Sequence, residues 1–231
     1  MNLTGTIQDF FSLIYPRTCN ACGESLITGE ECICTLCRFH LPKTRMHLEE
    51  DNKFTEIFLG RIPIETGTAL FYFQKGGKVQ ELIHRFKYKG RKEIGHFLGR
   101  MLGEELRSSS FYEGIDLIIP VPLHPDKMRK RGFNQSEVIA GGIAQSMGIA
   151  HSSKALIRSV ATQTQTRKTR FRRWENVESV FETPNPQWLE NKNLLLVDDV
   201  VTTGSTLEAC AQKLLAVEGT RVWLVTLAIT Y

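Results

Sequence analysis

Two patterns of apolar residues alternate along most of the chain. Where apolar residues recur every three or four positions, one face of a helix is predicted, and where they follow one another without interruption, a buried strand is predicted. This alternation is typical of an α/β fold with a doubly wound, mainly parallel sheet. The predicted helices cover residues 78–89, 94–106, 134–147 and 206–218, and the predicted strands cover residues 68–74, 115–123, 194–201 and 221–230.

The first 60 residues follow a different pattern. Residues 3–14 carry apolar side chains at helical spacing, which predicts a short amphipathic helix that docks on the rest of the protein. A membrane-surface helix is the weaker alternative, because the polar face has no Lys or Arg. Residues 19–42 contain few large aliphatic side chains, so a hydrophobic core cannot hold that segment together. We therefore expect a small N-terminal domain over residues 1–60 and a main domain over residues 61–231.

Composition excludes several classes of protein. Of the 231 residues, 42% are hydrophobic and 23% are charged, which is enough apolar side chain for a core and too little charge bias for disorder. No apolar run reaches the length of about 18 residues that a membrane-spanning helix requires, and no secretory signal is recognisable, so we expect a soluble, cytoplasmic protein. The net charge is only +4, but basic residues cluster at 85–92, 127–131 and 167–173.

Five cysteines lie close together near the N-terminus, and four of them form two CxxC pairs at residues 19–22 and 34–37. In a reducing compartment such a group favours a metal site over disulfides, and four thiolates complete the tetrahedron of a structural zinc. Reduced thiols or a redox CxxC are the alternative. Cys32 competes with Cys34 as a ligand, and His40 is a weaker substitute. The predicted zinc ligands are Cys19, Cys22, Cys34 and Cys37.

A second chemical signal lies at the end of the strand predicted over residues 194–201. Asp198 and Asp199 end a run of aliphatic residues, and a hydroxyl-rich loop at residues 202–206 opens the next helix. Ligands of open α/β sheets bind at this end of the strands, and the free N–H groups of a helix N-terminus favour phosphate. The carboxylates would accept hydrogen bonds from ribose hydroxyls or bind a magnesium ion, so we predict a phosphorylated sugar. The alternative is that Asp199 caps a turn and Ser205 merely begins the helix.

Residues 194–206 resemble the phosphoribosyl pyrophosphate (PRPP) motif of type I phosphoribosyltransferases. The resemblance implies that Asp198 and Asp199 hold the ribose 2′ and 3′ hydroxyls, with Mg²⁺ bound through PRPP. Where the 6-oxopurine salvage enzymes have an aspartate that acts as general base, this chain has Thr202, which argues against hypoxanthine–guanine salvage. The loop looks more like the orotate type. The implied cradle of the 5′-phosphate is Thr202, Thr203, Gly204, Ser205 and Thr206.

Over nearly its whole length the chain is similar to the ComF family. The CxxC pairs carry this resemblance together with residues 120–124, residues 131–135, Gln165 and residues 170–181. Membership implies a phosphoribosyltransferase fold beside a zinc ribbon and, in many bacteria, a role in natural transformation.

Several further residues are candidates for the surroundings of the sugar site. The loop after the strand at residues 115–123 would face pyrophosphate, with His124 and Arg131 as its ligands, while Asn134 is either a further ligand or only a helix N-cap. Residues 162–174 have the polar, basic composition of a mobile loop that closes over an anionic site, or else of an ordinary surface loop. Arg167 in this loop is the second candidate for the leaving group.

Aromatic and basic residues are interleaved at residues 86–91, a mixture that suits single-stranded nucleic acid. The alternative is that Phe86 belongs to the core and that Lys87 and Lys89 are simply exposed. The candidate nucleic-acid-binding residues are Lys87, Tyr88, Lys89, Lys127, Arg129, Lys130, Arg170, Arg172 and Arg173.

Two functions are compatible with these residues. As a module that handles single-stranded nucleic acid, the protein would bind PRPP with Mg²⁺ and dock a partner such as a competence helicase or translocase through its zinc ribbon. As a phosphoribosyltransferase of nucleotide metabolism, it would transfer phosphoribose to an acceptor that the sequence does not name, using Asp198, Asp199, Arg131 and Arg167.

Overall fold

A central parallel sheet organises the main part of the protein. The computed structural model describes residues 17–159 and 180–230. The strands of the described chain are β1 (Gly67–Tyr72), β2 (Leu117–Pro120), β3 (Ile157–Arg158), β4 (Phe181–Glu182), β5 (Asn193–Val201) and β6 (Arg221–Ile229). Four of them form the central sheet in the order β1–β6–β5–β2, and every neighbouring pair is parallel. Strands β3 and β4 form a small antiparallel pair.

Helices cover both faces of this sheet. They are α1 (Thr35–His40), α2 (Lys78–Tyr88), α3 (Lys92–Arg107), α4 (Pro125–Arg131), α5 (Gln135–Met147) and α6 (Ser205–Leu215). One buried cluster joins α2, α3 and α5 to one face of β5 and β6, and a second joins α6 and the segment at residues 46–62 to the opposite face. Helices α3 and α5 approach so closely that a Cβ on Gly99 or Gly142 would collide with the backbone of the other helix.

The predicted elements agree closely with these bounds. The parallel α/β fold is confirmed, and each predicted helix and strand of the main domain is present within a few residues of its predicted ends. Helix α4 was not predicted, because its seven residues bury no side chain and therefore show no apolar periodicity. The helix predicted over residues 3–14 and the loop predicted over residues 162–174 lie outside the described residues.

The cysteine-rich segment packs on the face of the sheet that carries α2 and α3. Ile33, Cys37 and Leu41 belong to the same buried cluster as those helices. Beyond this segment, Phe54 and Phe58 are buried against the opposite face. Residues 46–62 therefore share a hydrophobic core with the sheet. The domain boundary near residue 60 stays a prediction. Within the described residues, no helix is both long and apolar enough to cross a bilayer.

Candidate functional site

Two adjacent carboxylates lie at the carboxyl end of β5. The register places Pro120, the last residue of β2, beside Val197, so the loop after β2 reaches the same edge of the sheet as Asp198. Oδ1 of Asp198 accepts a hydrogen bond from Ser136 Oγ at 2.9 Å and another from the Asp199 N–H at 2.8 Å. Burial, reinforced by the neighbouring Asp199 carboxylate, raises the pKa of Asp198 to about 7.

A lysine from another part of the chain pairs with the second carboxylate. Lys87 Nζ lies 2.8 Å from Asp199 Oδ2, and the two side chains are only 17% and 14% exposed. Lys87 was predicted to bind nucleic acid or to lie at a free surface, whereas in the structure it lies against the acid pair. No local pattern could have shown this, because the contact joins the last turn of α2 to β5.

The loop at residues 202–205 connects β5 to α6. Gly204 has a φ of 75°, which is a conformation that favours glycine, and Ser205 begins the helix. The hydroxyls of Thr203 and Ser205 lie 3.0 Å apart. A small cavity of about 50 Å³ opens here, lined by Asp198 and by residues 200–207. The predicted cradle residues therefore lie together beside the acid pair.

A segment from before the sheet supports this loop from behind. The α-carbon of Gly204 faces the side chains of Ile57 and Phe58, so that an added Cβ would lie 2.8 Å from each of them. Arg61 donates to the carbonyl oxygen of Thr203 at 2.9 Å and forms an ion pair with Glu208 on α6. Arg61 and Ser136 were not predicted as site residues, since neither belongs to a recognisable motif.

Residues 131–135 lie beside the end of α2. The Arg131 guanidinium lies 5.4 Å from the centroid of the Tyr88 ring and donates to Gln135 Oε1 at 2.7 Å. Asn134 accepts from the Ser136 N–H at 3.1 Å and donates to the Val121 carbonyl, so it is the N-cap of α5, one of the two roles left open above. His124 Nδ1 accepts from the Asp126 N–H at 3.1 Å and caps α4.

The residues predicted to bind nucleic acid differ in their exposure and in their contacts. Lys89, Lys127 and Lys130 are exposed, and Tyr88 is 53% exposed. Arg129 is exposed as well and forms an ion pair with Asp126. The three remaining basic candidates, Arg170, Arg172 and Arg173, lie outside the described residues, and so does Arg167, the second candidate for the leaving group.

Four cysteines converge in the N-terminal segment. The sulfur atoms of Cys19, Cys22, Cys34 and Cys37 all lie within 4.8 Å of one another, and those of Cys22 and Cys34 are 3.8 Å apart. Zn–S bonds of about 2.3 Å in a tetrahedron require sulfur atoms about 3.8 Å apart, so this group fits a structural zinc site. Cys32 stands apart from the group: it accepts a weak hydrogen bond from Asn20, and burial raises its pKa to about 12.

The thiols of the cysteine cluster differ in how well their surroundings stabilise negative charge, since burial raises the pKa of Cys37 to about 12 whereas the pKa of Cys19 is lowered. Burial by itself would raise the pKa of Cys19, but hydrogen bonds from backbone N–H groups, chiefly that of Cys34, outweigh it and lower the pKa to about 6. Lys78, in the first turn of α2, donates to Cys37 Sγ at 3.4 Å. Thiolates bind zinc, so these donors favour the ligand form of the cluster.

The class of the main domain follows from its similarity to a known protein family. Residues 134–229 match the family model described as "Phosphoribosyl transferase domain". This range contains the acid pair, the loop after β5 and Ser136. The predicted phosphoribosyltransferase-like fold is confirmed.

Three relatives identify the family. DNA utilization protein YhgH of Escherichia coli O157:H7 is 36% identical over 218 residues, which cover 88% of this chain and 92% of that protein. YhgH of Salmonella typhimurium is 36% identical over 137 residues, 58% of this chain and 60% of that protein. Competence protein ComFC of Bacillus subtilis is 30% identical over 59% of this chain and 53% of that protein. The chain belongs to the ComF family, as its motifs predicted.

Proposed function

We propose that this protein binds PRPP with Mg²⁺ and handles incoming single-stranded DNA during natural competence. The observation that carries the first part is the side-by-side position of the Asp198–Asp199 pair and the loop at residues 202–205, at the carboxyl end of the sheet. Carboxylate oxygens suit both ribose hydroxyls and Mg²⁺, which prefers oxygen ligands. The N-terminus of α6 and the hydroxyls of Thr203 and Ser205 suit the 5′-phosphate.

Charge and aromatic surface beside this site support the second part. Tyr88 offers a partly exposed ring next to Arg131, and Lys89, Lys127 and Lys130 are exposed on the neighbouring helices. Bases stack on rings, and the phosphate backbone follows positive charge. The names of the relatives, "DNA utilization protein" and "Competence protein ComFC", point to the same process.

The cysteine cluster would hold zinc in a structural role, because four thiolates leave no open position for a substrate. The helix that it anchors, α1, exposes Leu36 and Phe39. A competence helicase or translocase is the partner class that we propose for this segment.

A thermal-shift titration with PRPP and MgCl₂ tests the sugar site. A ligand that binds only the folded protein raises the unfolding midpoint, and we expect saturating PRPP with Mg²⁺ to do so. Asp198→Asn and Asp199→Asn should abolish the increase, because each removes an acceptor for the ribose hydroxyls. The exposed Asp51→Asn is the control and should respond like the unaltered protein. An unchanged midpoint in the unaltered protein would exclude PRPP as the ligand.

Anisotropy of a labelled single-stranded oligonucleotide, followed over a range of salt concentrations, tests the DNA surface. Binding should weaken linearly on logarithmic axes, with a slope of about −0.7 for each phosphate contact. The double variant Lys127→Glu/Lys130→Glu should bind at least about tenfold more weakly at low salt. Lys192→Glu is the control, since Lys192 precedes β5 at the opposite edge of the sheet. Equal binding by both variants would contradict the proposal.

A further inference from the structure

Helix α2 delivers one cation to the edge of the sheet where the acid pair lies. Val79, Leu82, Ile83 and Phe86 are buried on one face of this helix, which fixes its orientation against the sheet. Lys87 follows Phe86 and directs its ammonium group to Asp199 at 2.8 Å, where both side chains are largely shielded from water. Shielding strengthens such a pair relative to an exposed one, because less water screens the two charges.

The surrounding contacts join three separate parts of the chain at this place. Tyr88, next to Lys87, lies under the guanidinium of Arg131. Arg131 donates to Gln135, whose neighbour Ser136 donates to Asp198. The end of α2, residues 131–136 and the end of β5 therefore surround one site, and Lys87 belongs to that site by position.

The charge at this site determines which ligands it favours. Two ionised carboxylates side by side form an oxygen-rich site with two negative charges, which attracts a free divalent cation and repels an anionic sugar phosphate. With the Lys87 ammonium in place, the charge of Asp199 is compensated, and at most one uncompensated negative charge remains, that of Asp198 in its ionised form. The attraction for the free metal is then reduced, and so is the repulsion of the phosphates.

We propose that Lys87 is a specificity-determining residue of the sugar site, which compensates Asp199 so that the site selects a pentose phosphate with its bound metal over the free divalent cation. This inference rests on the proposed binding of PRPP and adds a selection against metal alone. It is an instance of specificity that depends on disfavouring the wrong ligand as well as on binding the right one.

The experiment compares the unaltered protein with Lys87→Met, which removes the charge and keeps an unbranched side chain that is one atom shorter. The unfolding midpoint is measured with MgCl₂ alone and with PRPP at low and at high MgCl₂. In the unaltered protein we expect MgCl₂ alone to have little effect. In Lys87→Met we expect MgCl₂ alone to raise the midpoint, and the affinity for PRPP at low MgCl₂ to fall roughly tenfold or more, since a tenfold change corresponds to the loss of one modest charge interaction.

Two further variants make the result specific. Lys192→Met removes a lysine that precedes β5, at the opposite edge of the sheet, and should behave like the unaltered protein. Lys87→Arg keeps the charge, so MgCl₂ alone should have little effect on its unfolding midpoint. A purely structural ion pair would lower the midpoint of Lys87→Met without changing its dependence on MgCl₂.

The measurements distinguish failure of the inference about Lys87 from failure of the proposed PRPP binding. If PRPP does not stabilise the unaltered protein, the proposed function fails. If PRPP stabilises it and Lys87→Met shows the same dependence on MgCl₂ and PRPP, the role of Lys87 is overturned. Should Lys87→Met not fold, Lys87→Gln is measured instead; if neither uncharged variant folds while Lys87→Arg does, the ion pair is structural and the inference is likewise overturned.

Discussion

Removal of zinc is expected to unfold the cysteine-rich segment and to weaken the packing of α2 and α3. Binding of a structural zinc contributes on the order of 10 kcal/mol to the folding of such small segments. Few aliphatic side chains are present to replace it. Cys37→Ser should therefore lose the metal and expose residues 17–41 to protease, and because Cys37 and Ile33 share a buried cluster with α2 and α3, the unfolding midpoint of the main domain should fall too.

Metal analysis together with limited proteolysis measures this effect. The unaltered protein should contain one zinc per cluster of four cysteines. Cys32→Ala is the matched control: its sulfur is buried outside the cluster, so this variant should keep the full zinc content. Loss of zinc from Cys32→Ala, or retention of zinc by Cys37→Ser, would show that the ligand set is wrong.

Asp198→Asn is expected to stabilise the protein without ligand while abolishing its response to PRPP. The carboxylate is partly buried beside Asp199, and its raised pKa means that the folded protein disfavours the charged form. Asparagine still offers Oδ1 to the Ser136 hydroxyl and to the Asp199 N–H, and it carries no charge to desolvate. Near pH 8 we expect a gain on the order of 2 kcal/mol in the free energy of unfolding.

The raised pKa of Asp198 makes its contribution to the free energy of unfolding depend on pH. Between the ordinary value of 3.8 and about 7, the folded protein keeps the Asp198 proton while the unfolded chain has lost it. The unfolded state therefore binds fewer protons in this window, so the contribution of Asp198 to stability falls as pH rises. Asp198→Asn has no carboxyl group at this position and should lack this pH-dependent loss of stability. The difference in the free energy of unfolding between Asp198→Asn and the unaltered protein should therefore grow from pH 4 to pH 7.

Urea unfolding at several pH values measures both the gain and its pH dependence. Asp199→Asn provides a control of opposite sign, since it removes the partner of Lys87 at 2.8 Å and should lower stability near neutral pH. An advantage of Asp198→Asn that is constant between pH 4 and pH 7 would contradict the assigned pKa.

Features that depend on neighbours in the chain were predictable. The buried strands at Leu117–Pro120 and Asn193–Val201 and the helix at Lys78–Tyr88 follow from the spacing of apolar residues, since burial of one face is a local pattern. The CxxC spacing predicted the group of four sulfur atoms for the same reason, because two intervening residues suffice to direct two thiols to one point. The loop after β5 and the Asp198–Asp199 pair were likewise contained within one short motif.

Contacts between distant segments were not predictable in this way. Helical periodicity correctly placed Phe86 in the core, but it left Lys87 at the surface, because the register of α2 against β5 depends on the packing of the whole sheet. The support of the loop by Arg61 and the bond from Ser136 to Asp198 arise in the same way. Most of the elements, the cysteine cluster and the acid pair could be predicted from the amino-acid sequence, because their signals are local. The cation that compensates the acid pair is known only from the folded chain, because it depends on where separate elements meet.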